Sequence, residues 1–348
     1  MAVTRRGKVA VALAGVVGLT GVSVGALALT GHAPTPLQQA FNSVTGHAEA
    51  PPPECPLTGR DAPGGKIPHR PALAVKIENL PEARPQAGLD RADIVYEEPV
   101  EGGITRFIAV YQCGDAAKVG PVRSGRTTDP EILVQYGKPP LAYSGGANLV
   151  RKAIDRAGLT DVSEPEAPQA YTRDPARVAP HDLFSTTAHL WAAAKLKTGA
   201  PDPVFTYSEQ LSLKAKRVTD VHLPFSSYSD VHWAWSKKDH VWLRSHGTEP
   251  HLLTTGEQVQ ATNVVIQVVN VVPGEIIDPA GNPSPEVDVV GKGKAYVCRD
   301  GKMIAGRWQR TSLDDVTTFL TRSGETIPLA PGSTWVELFP STLTVETT

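Results

Sequence analysis

Between Glu97 and Arg126 the chain places carboxylates and guanidiniums at the ends of apolar runs: Glu97, Glu98 and Glu101, then Arg106, then Arg123 and Arg126. Unpaired charge is costly to bury, so such residues mark either a site or a framework of ion pairs. Glu98 and Glu101 could divide acid and base work if their surroundings separate their pKa values, and Pro99 pins the backbone after Glu98. The plainer alternative is that these carboxylates pair with Arg106 and Arg123. Arg123 and Arg126 stand three residues apart in the turn Gly120-Pro121-Val122-Arg123-Ser124-Gly125-Arg126. Their forks suit the oxygens of a carboxylate or phosphate, and the glycines let backbone N–H groups approach the same anion. Here too a structural role competes, with both arginines stapling the turn to neighbouring acids.

Further along, Ser144-Gly145-Gly146-Ala147-Asn148 leads into a helical run. Free N–H groups at a helix start can hold an anion, so Gly145 and Gly146 join the candidate ligand-binding set, although the spacing is neither a Walker loop nor a dinucleotide fingerprint. Arg173 and His181 lie in a Pro-rich loop. His181, fixed between Pro180 and Asp182, is the candidate for proton transfer alongside Glu98 and Glu101. Ser124, Ser144 and Ser185 offer hydroxyls, but none sits in a nucleophile-elbow pattern.

Five of the ten histidines fall at His222, His232, His240, His246 and His251. No His-x-x-x-His or Cys-x-x-Cys pair occurs, and only Asp230 with His232 shares a strand face, so no metal and no other cofactor is expected. Trp233 and Trp235 share one face of a strand, which suits either a sugar-stacking platform or ordinary β packing.

The elements that would position these residues are mostly short strands. Runs at 73–77, 93–97, 106–113 and 141–143, bounded by Pro, Gly or Asp, read as strands. Leu149, Val150, Ile154 and Ala157 recur at helical spacing before Gly158 stops the run, and a second helix starts at Thr186 or Thr187. From about residue 206 the chain is nearly all β, with strands near 231–236, 241–244, 264–272, 294–299 and 334–339. The expected fold class is α+β: a mixed-sheet N-terminal domain with a few helices, then a smaller β-rich domain. The boundaries are 1–33 for an anchor or signal, 34–61 for a Pro/Ala/Gly-rich linker, 62–205 for the first domain and 206–345 for the second, with the folded part starting near Arg70.

Of 348 residues, 34 are Lys or Arg and 36 Asp or Glu. Without Arg5, Arg6 and Lys8 the balance is 31 against 36, so bulk electrostatics gives no pull on nucleic acid, and none is expected as a partner. Residues 9–29 are uncharged and almost entirely apolar, long enough to span a bilayer as a helix. The basic residues before them place the remainder on the extracytoplasmic face of the membrane, tethered by this helix, or secreted if it is cleaved. Disulfides persist in that compartment. Among Cys55, Cys113 and Cys298 the favoured pair is Cys55 with Cys113, because Cys55 sits in a Pro-rich lead-in that needs tethering and Cys113 ends a strand.

The runs Arg70-Pro71-Ala72-Leu73-Ala74-Val75-Lys76-Ile77-Glu78-Asn79, Ala83-Arg84-Pro85-Gln86-Ala87-Gly88-Leu89, Glu101-Gly102-Gly103-Ile104-Thr105-Arg106-Phe107, the Gly120 turn and Ala179-Pro180-His181 resemble the YerB-like family of envelope proteins. Gly306-Arg307-Trp308 and Pro331-Gly332-Ser333-Thr334-Trp335-Val336 are similar to its second domain. The resemblance implies an exported α+β domain followed by a β-rich one, with no settled activity. Three departures stand out: no lipidation cysteine ends the apolar run, Asp182 stands where the family suggests Asn, and Tyr143 stands where it suggests His.

The leading expectation is therefore a membrane-tethered envelope protein whose first domain binds an anionic, carboxylate-bearing or cell-wall-related ligand through Arg106, Arg123 and Arg126. The rival is a cell-wall polymer hydrolase or transferase using Glu98 or Glu101 with His181. A third is a scaffold for an envelope protein partner.

Overall fold

The computed structural model describes residues 51–278 and 280–348. The expected anchor at residues 9–29 lies outside the described residues, among which no helix is long and apolar enough to cross a membrane. Apolar runs rich in Val and Ile become β1 (Leu73–Glu78), β2 (Ile94–Pro99) and β3 (Thr105–Tyr111), buried along nearly their whole length. With the short β4 (Leu141–Ala142) they form one end of a mixed sheet whose order is Thr318–Thr321, Lys302–Arg310, Gly291–Arg299, Asn263–Val269, Thr334–Pro340, β2, β3, β1, β4. The fold is α+β, with helices in a minority and a β-rich C-terminal region. Thr334–Pro340 pairs in parallel with both Asn263–Val269 and β2, so strands from either side of residues 205 and 206 share one sheet.

Strands buried on both faces need two cores. On one face Val75, Ile77, Val95, Phe107, Ala109 and Trp335 pack against Trp233 and Trp242 of a smaller sheet. That sheet contains Asp220–Pro224, Asp230–Ser236 and Val241–His246. On the other face Ala74, Ile94, Tyr96, Ile108 and Val110 meet α1 (Thr128–Leu133) and α2 (Asn148–Ala157). Gly158, at φ 69°, closes α2 in the left-handed conformation that glycine adopts without strain. A third helix, α3 (Thr187–Ala194), is capped by the Thr186 hydroxyl, which accepts from His189 N at 3.0 Å.

The folded part begins earlier than Arg70, inside the stretch expected to be linker. Leu57 is completely buried, Tyr207 donates to its carbonyl at 2.6 Å, and Gly332 N donates to Thr58 O at 2.7 Å. Cys55 is bonded to Cys113, and the third cysteine, Cys298, is free and buried. Composition alone suggested a linker because few apolar residues are needed where a disulfide and backbone hydrogen bonds hold the segment. Trp233 is fully buried with its indole N–H on Glu337 at 2.7 Å, so it is core rather than a stacking platform.

Candidate functional site

The C-terminal ends of β1 and β2 and the start of β3 lie together at one edge of the sheet, and register sets their charges in a row. Glu98 is opposite Arg106, which is opposite Glu78. Residues opposite one another in an antiparallel pair point to the same face, so all three face the helical side. The turn after Gly120 runs beside β1, with Arg123 N donating to Lys76 O at 2.9 Å. It is joined to the second glycine loop by Gly125 N to Gly145 O at 3.0 Å and Ser144 N to Arg123 O at 3.0 Å. Arg106, Arg123, Arg126 and Gly145 thus converge at one edge. Gly146 lies beside Val150 at the start of α2.

Within the cluster most charges have partners. Arg126 binds Glu101, whose carboxyl is pushed up by burial but pulled down further by that guanidinium, for a net lowering. Arg123 Nε lies 2.8 Å from Glu78 Oε1, close enough for attraction, although the pair is not aligned as a hydrogen bond. Lys76 is buried between Glu98 and Asp129, 2.7 Å from Asp129 Oδ1. Burial, with the Asp129 charge added and Lys76 opposing, pushes Glu98 up to about 7. The pairing expected from sequence, Glu97, Glu98 and Glu101 with Arg106 and Arg123, is therefore replaced: Glu97 binds Arg244, Glu98 binds Lys76 and Glu101 binds Arg126.

Arg106 is the exception. It is 7% exposed, it has no carboxylate within ion-pair distance among the described residues, and its Nε has no partner there. Its one hydrogen bond runs from Nη1 to Ser124 O at 3.0 Å. Burial, then the positive charges of Arg126 and Arg123, pull it down to about 9 against the weaker pull of Glu101 and Glu78, so it is still a cation at neutral pH.

His181 reaches the same edge, with Nδ1 2.9 Å from Glu78 Oε2 and no hydrogen bond from Nε2 among the described residues. A carboxylate fixing one imidazole nitrogen leaves the other for proton transfer. Its partner is Glu78, not Glu98 or Glu101, because Glu98 is buried beside Lys76 and Glu101 is engaged by Arg126. Arg173 binds Glu164 and Asp182 at 2.7 Å each and takes no part in the Arg106 cluster's ion pairs. Tyr143 donates to Asp161 at 2.7 Å. A cleft of about 630 Å³ opens next to the turn, but Glu131, Glu275, Glu286, Asp288 and Asp314 outnumber Lys138 and Arg156 in its lining, which disfavours anions. The cluster and that cleft do not coincide.

Sequence reading missed Lys76, Glu78 and Asp129. The available signal was two charges, Lys76 and Glu78, alternating inside an apolar strand, which puts both on one buried face.

The chain resembles known proteins along most of its length. The model for the N-terminal domain of "Protein of unknown function (DUF3048)" matches residues 57–200 and the model for its C-terminal domain matches 221–336. A relative from Bacillus subtilis, named "Putative lipoprotein YerB", is 28% identical over 308 residues, covering 82% of this chain and 86% of that protein. The crystal structure of YerB protein from Bacillus subtilis superposes with a TM-score of 0.74 at 24% identity, covering 85% of this chain and 99% of that one, which supports the fold. With both domain models matched in order and the fold shared, the chain belongs to the YerB-like family.

Proposed function

We propose that the protein is an extracytoplasmic, membrane-tethered envelope protein whose N-terminal half binds an anionic, cell-wall-related ligand at Arg106, with Arg123 and Arg126 enclosing the anion. The observation that carries this reading is the buried Arg106 guanidinium, without a carboxylate partner among the described residues and faced by two further guanidiniums. The lipoprotein name of the relative supports a membrane tether. In this chain the tether is the apolar stretch at residues 9–29, since no cysteine ends it. The test is calorimetric titration of the full chain, in detergent, with muropeptides released from cell wall. Saturable binding that weakens about tenfold or more in Arg106→Gln and persists in Arg173→Ala supports the reading. Binding unchanged in Arg106→Gln, or no binding, overturns it.

A second reading, a hydrolase or transferase on a cell-wall polymer, is favoured by the Glu78–His181 contact. Glu78 orients the imidazole and His181 Nε2 exchanges the proton, while the guanidiniums stabilise developing negative charge. Release of soluble fragments from purified cell wall, abolished in His181→Gln and Glu78→Gln, is its signature; fragments released equally by both variants would rule it out.

A further inference from the structure

We propose that the outer face of the small sheet holds one divalent transition-metal ion of Zn2+ type, ligated by His222, Asp230 and His232. The site begins as a repeated pattern, Asp220-x-His222 and Asp230-x-His232. Residues two apart share a strand face, and the alternating burial of Asp220–Pro224 and Asp230–Ser236 turns these four side chains away from the core. The strands are antiparallel with His222 directly opposite His232, and Glu346 lies opposite His222 on its other side. One row, Glu346, His222, His232, therefore crosses three strands, with an aspartate diagonal to each histidine.

The contacts follow from that register. His222 Nε2 is 2.5 Å from Asp230 Oδ1, His222 Nδ1 is 3.0 Å from Glu346 Oε2, and His232 Nδ1 is 3.1 Å from Asp220 Oδ1. The two rings stack with centroids 4.2 Å apart and planes 6° from parallel, so one imidazole rotates out of the stack for both to direct a nitrogen at one ion. One donor atom from each of His222, Asp230 and His232 falls within 4.8 Å of the others. Glu346 and Asp220 each fix Nδ1 of one imidazole, the role that outer carboxylates play around metal-bound histidine; His232 Nε2 is left for the metal, which would replace the proton between His222 Nε2 and Asp230. Two imidazoles and a carboxylate suit Zn2+, and the fourth position falls to water. Three carboxylates beside the two imidazoles attract a divalent cation, and all five side chains are partly exposed, so a hydrated ion can reach them.

The test is titration of chelator-stripped full-length protein in detergent with Zn2+ by calorimetry, and with Co2+ by visible absorption. One equivalent should bind, with the intense absorption of tetrahedral Co2+. His222→Ala and His232→Ala should each weaken binding a hundredfold or more, and Glu346→Gln about tenfold. All three positions are on the solvent face, and far-UV circular dichroism checks that each variant keeps its fold. Binding equally tight in His222→Ala and His232→Ala, Co2+ absorption of an octahedral all-oxygen complex, or no binding at micromolar Zn2+ overturns the site.

Discussion

Glu97 and Glu337 are register partners on parallel neighbouring strands, and neither carboxylate reaches solvent. One cation serves both: Arg244, from the small sheet, holds Glu97 through Nη2 at 2.9 and 2.7 Å. Burial raises Glu337 well above the ordinary carboxylate range, the Glu97 charge adds to this, and Arg244 opposes it. Glu337 is therefore the group that favours its proton, while Glu97 is the one held by the Arg244 guanidinium. His251, stacked on Phe107 and bonded to Gln86 at 2.8 Å, closes the cluster and is kept neutral by burial and by Arg244. This cluster adds a buried ion pair to the sheet and core contacts that already join the second half of the chain to the first.

Glu337→Gln should shift stability by no more than about 1 kcal/mol, since the native side chain favours its proton. Arg244→Met should cost on the order of 3–5 kcal/mol because it leaves Glu97 charged and unpaired in the core. Urea midpoints compared at constant m-value check both. Equal losses in the two variants would mean that Glu337 is ionised.

Glu98 gives a pH dependence of definite sign. Its carboxyl moves from an ordinary 4.5 to about 7 in the folded protein, so the native state binds more protons than the unfolded chain between those values. Stability then falls as pH rises through that window, by an amount on the order of 1–3 kcal/mol, and the loss is complete above about 7. Glu98→Gln should flatten this part of the profile, measured as the urea midpoint at pH 4.5, 6 and 7.5.

The disulfide closes a loop with a sequence separation of 58. Chain entropy alone assigns such a cross-link about 4 kcal/mol. Reduction, or Cys55→Ala with Cys113→Ala, should lower the unfolding midpoint accordingly and loosen the segment around Leu57 first, seen as faster amide exchange there. Cys298→Ala should leave the response to reductant unchanged, because that thiol is buried and unpaired.

Much of this architecture could be read locally. Strands β1 to β3 and the stop at Gly158 each follow from a few consecutive residues, and the Cys55–Cys113 tether from the context of each cysteine. Partners across strands could not be read that way. Lys76 meets Glu98 only because β3 lies between β1 and β2, and strand order is a long-range property. For the same reason the Asp230 and His232 pair was visible while Asp220 and His222 were not: the strand Asp220–Pro224 carries a weak signal, and its register with Asp230–Ser236 decides everything. Arg106, Arg123 and Arg126 could be named from sequence, but which of them lacked an acid partner depended on the fold.

Arg106 should be a residue that function keeps at the expense of stability. Removing Arg126 strands the Glu101 carboxylate, and removing Arg123 weakens the field that holds Glu78. Removing Arg106 breaks no ion pair among the described residues and relieves repulsion with both other guanidiniums, which outweighs the lost attraction to Glu101 and Glu78. Its bond to Ser124 O is shared with Arg126 Nη1, 3.4 Å from that oxygen. Arg106→Met, which preserves much of the apolar stem, should therefore be neutral or stabilising by up to about 1 kcal/mol in the absence of ligand, while Arg126→Met destabilises. Thermal unfolding with and without muropeptides separates the cases: the wild-type midpoint rises with ligand, and the Arg106→Met midpoint starts as high or higher but does not move. A clear destabilisation by Arg106→Met, with the ligand-induced rise intact, would make this guanidinium a structural group instead.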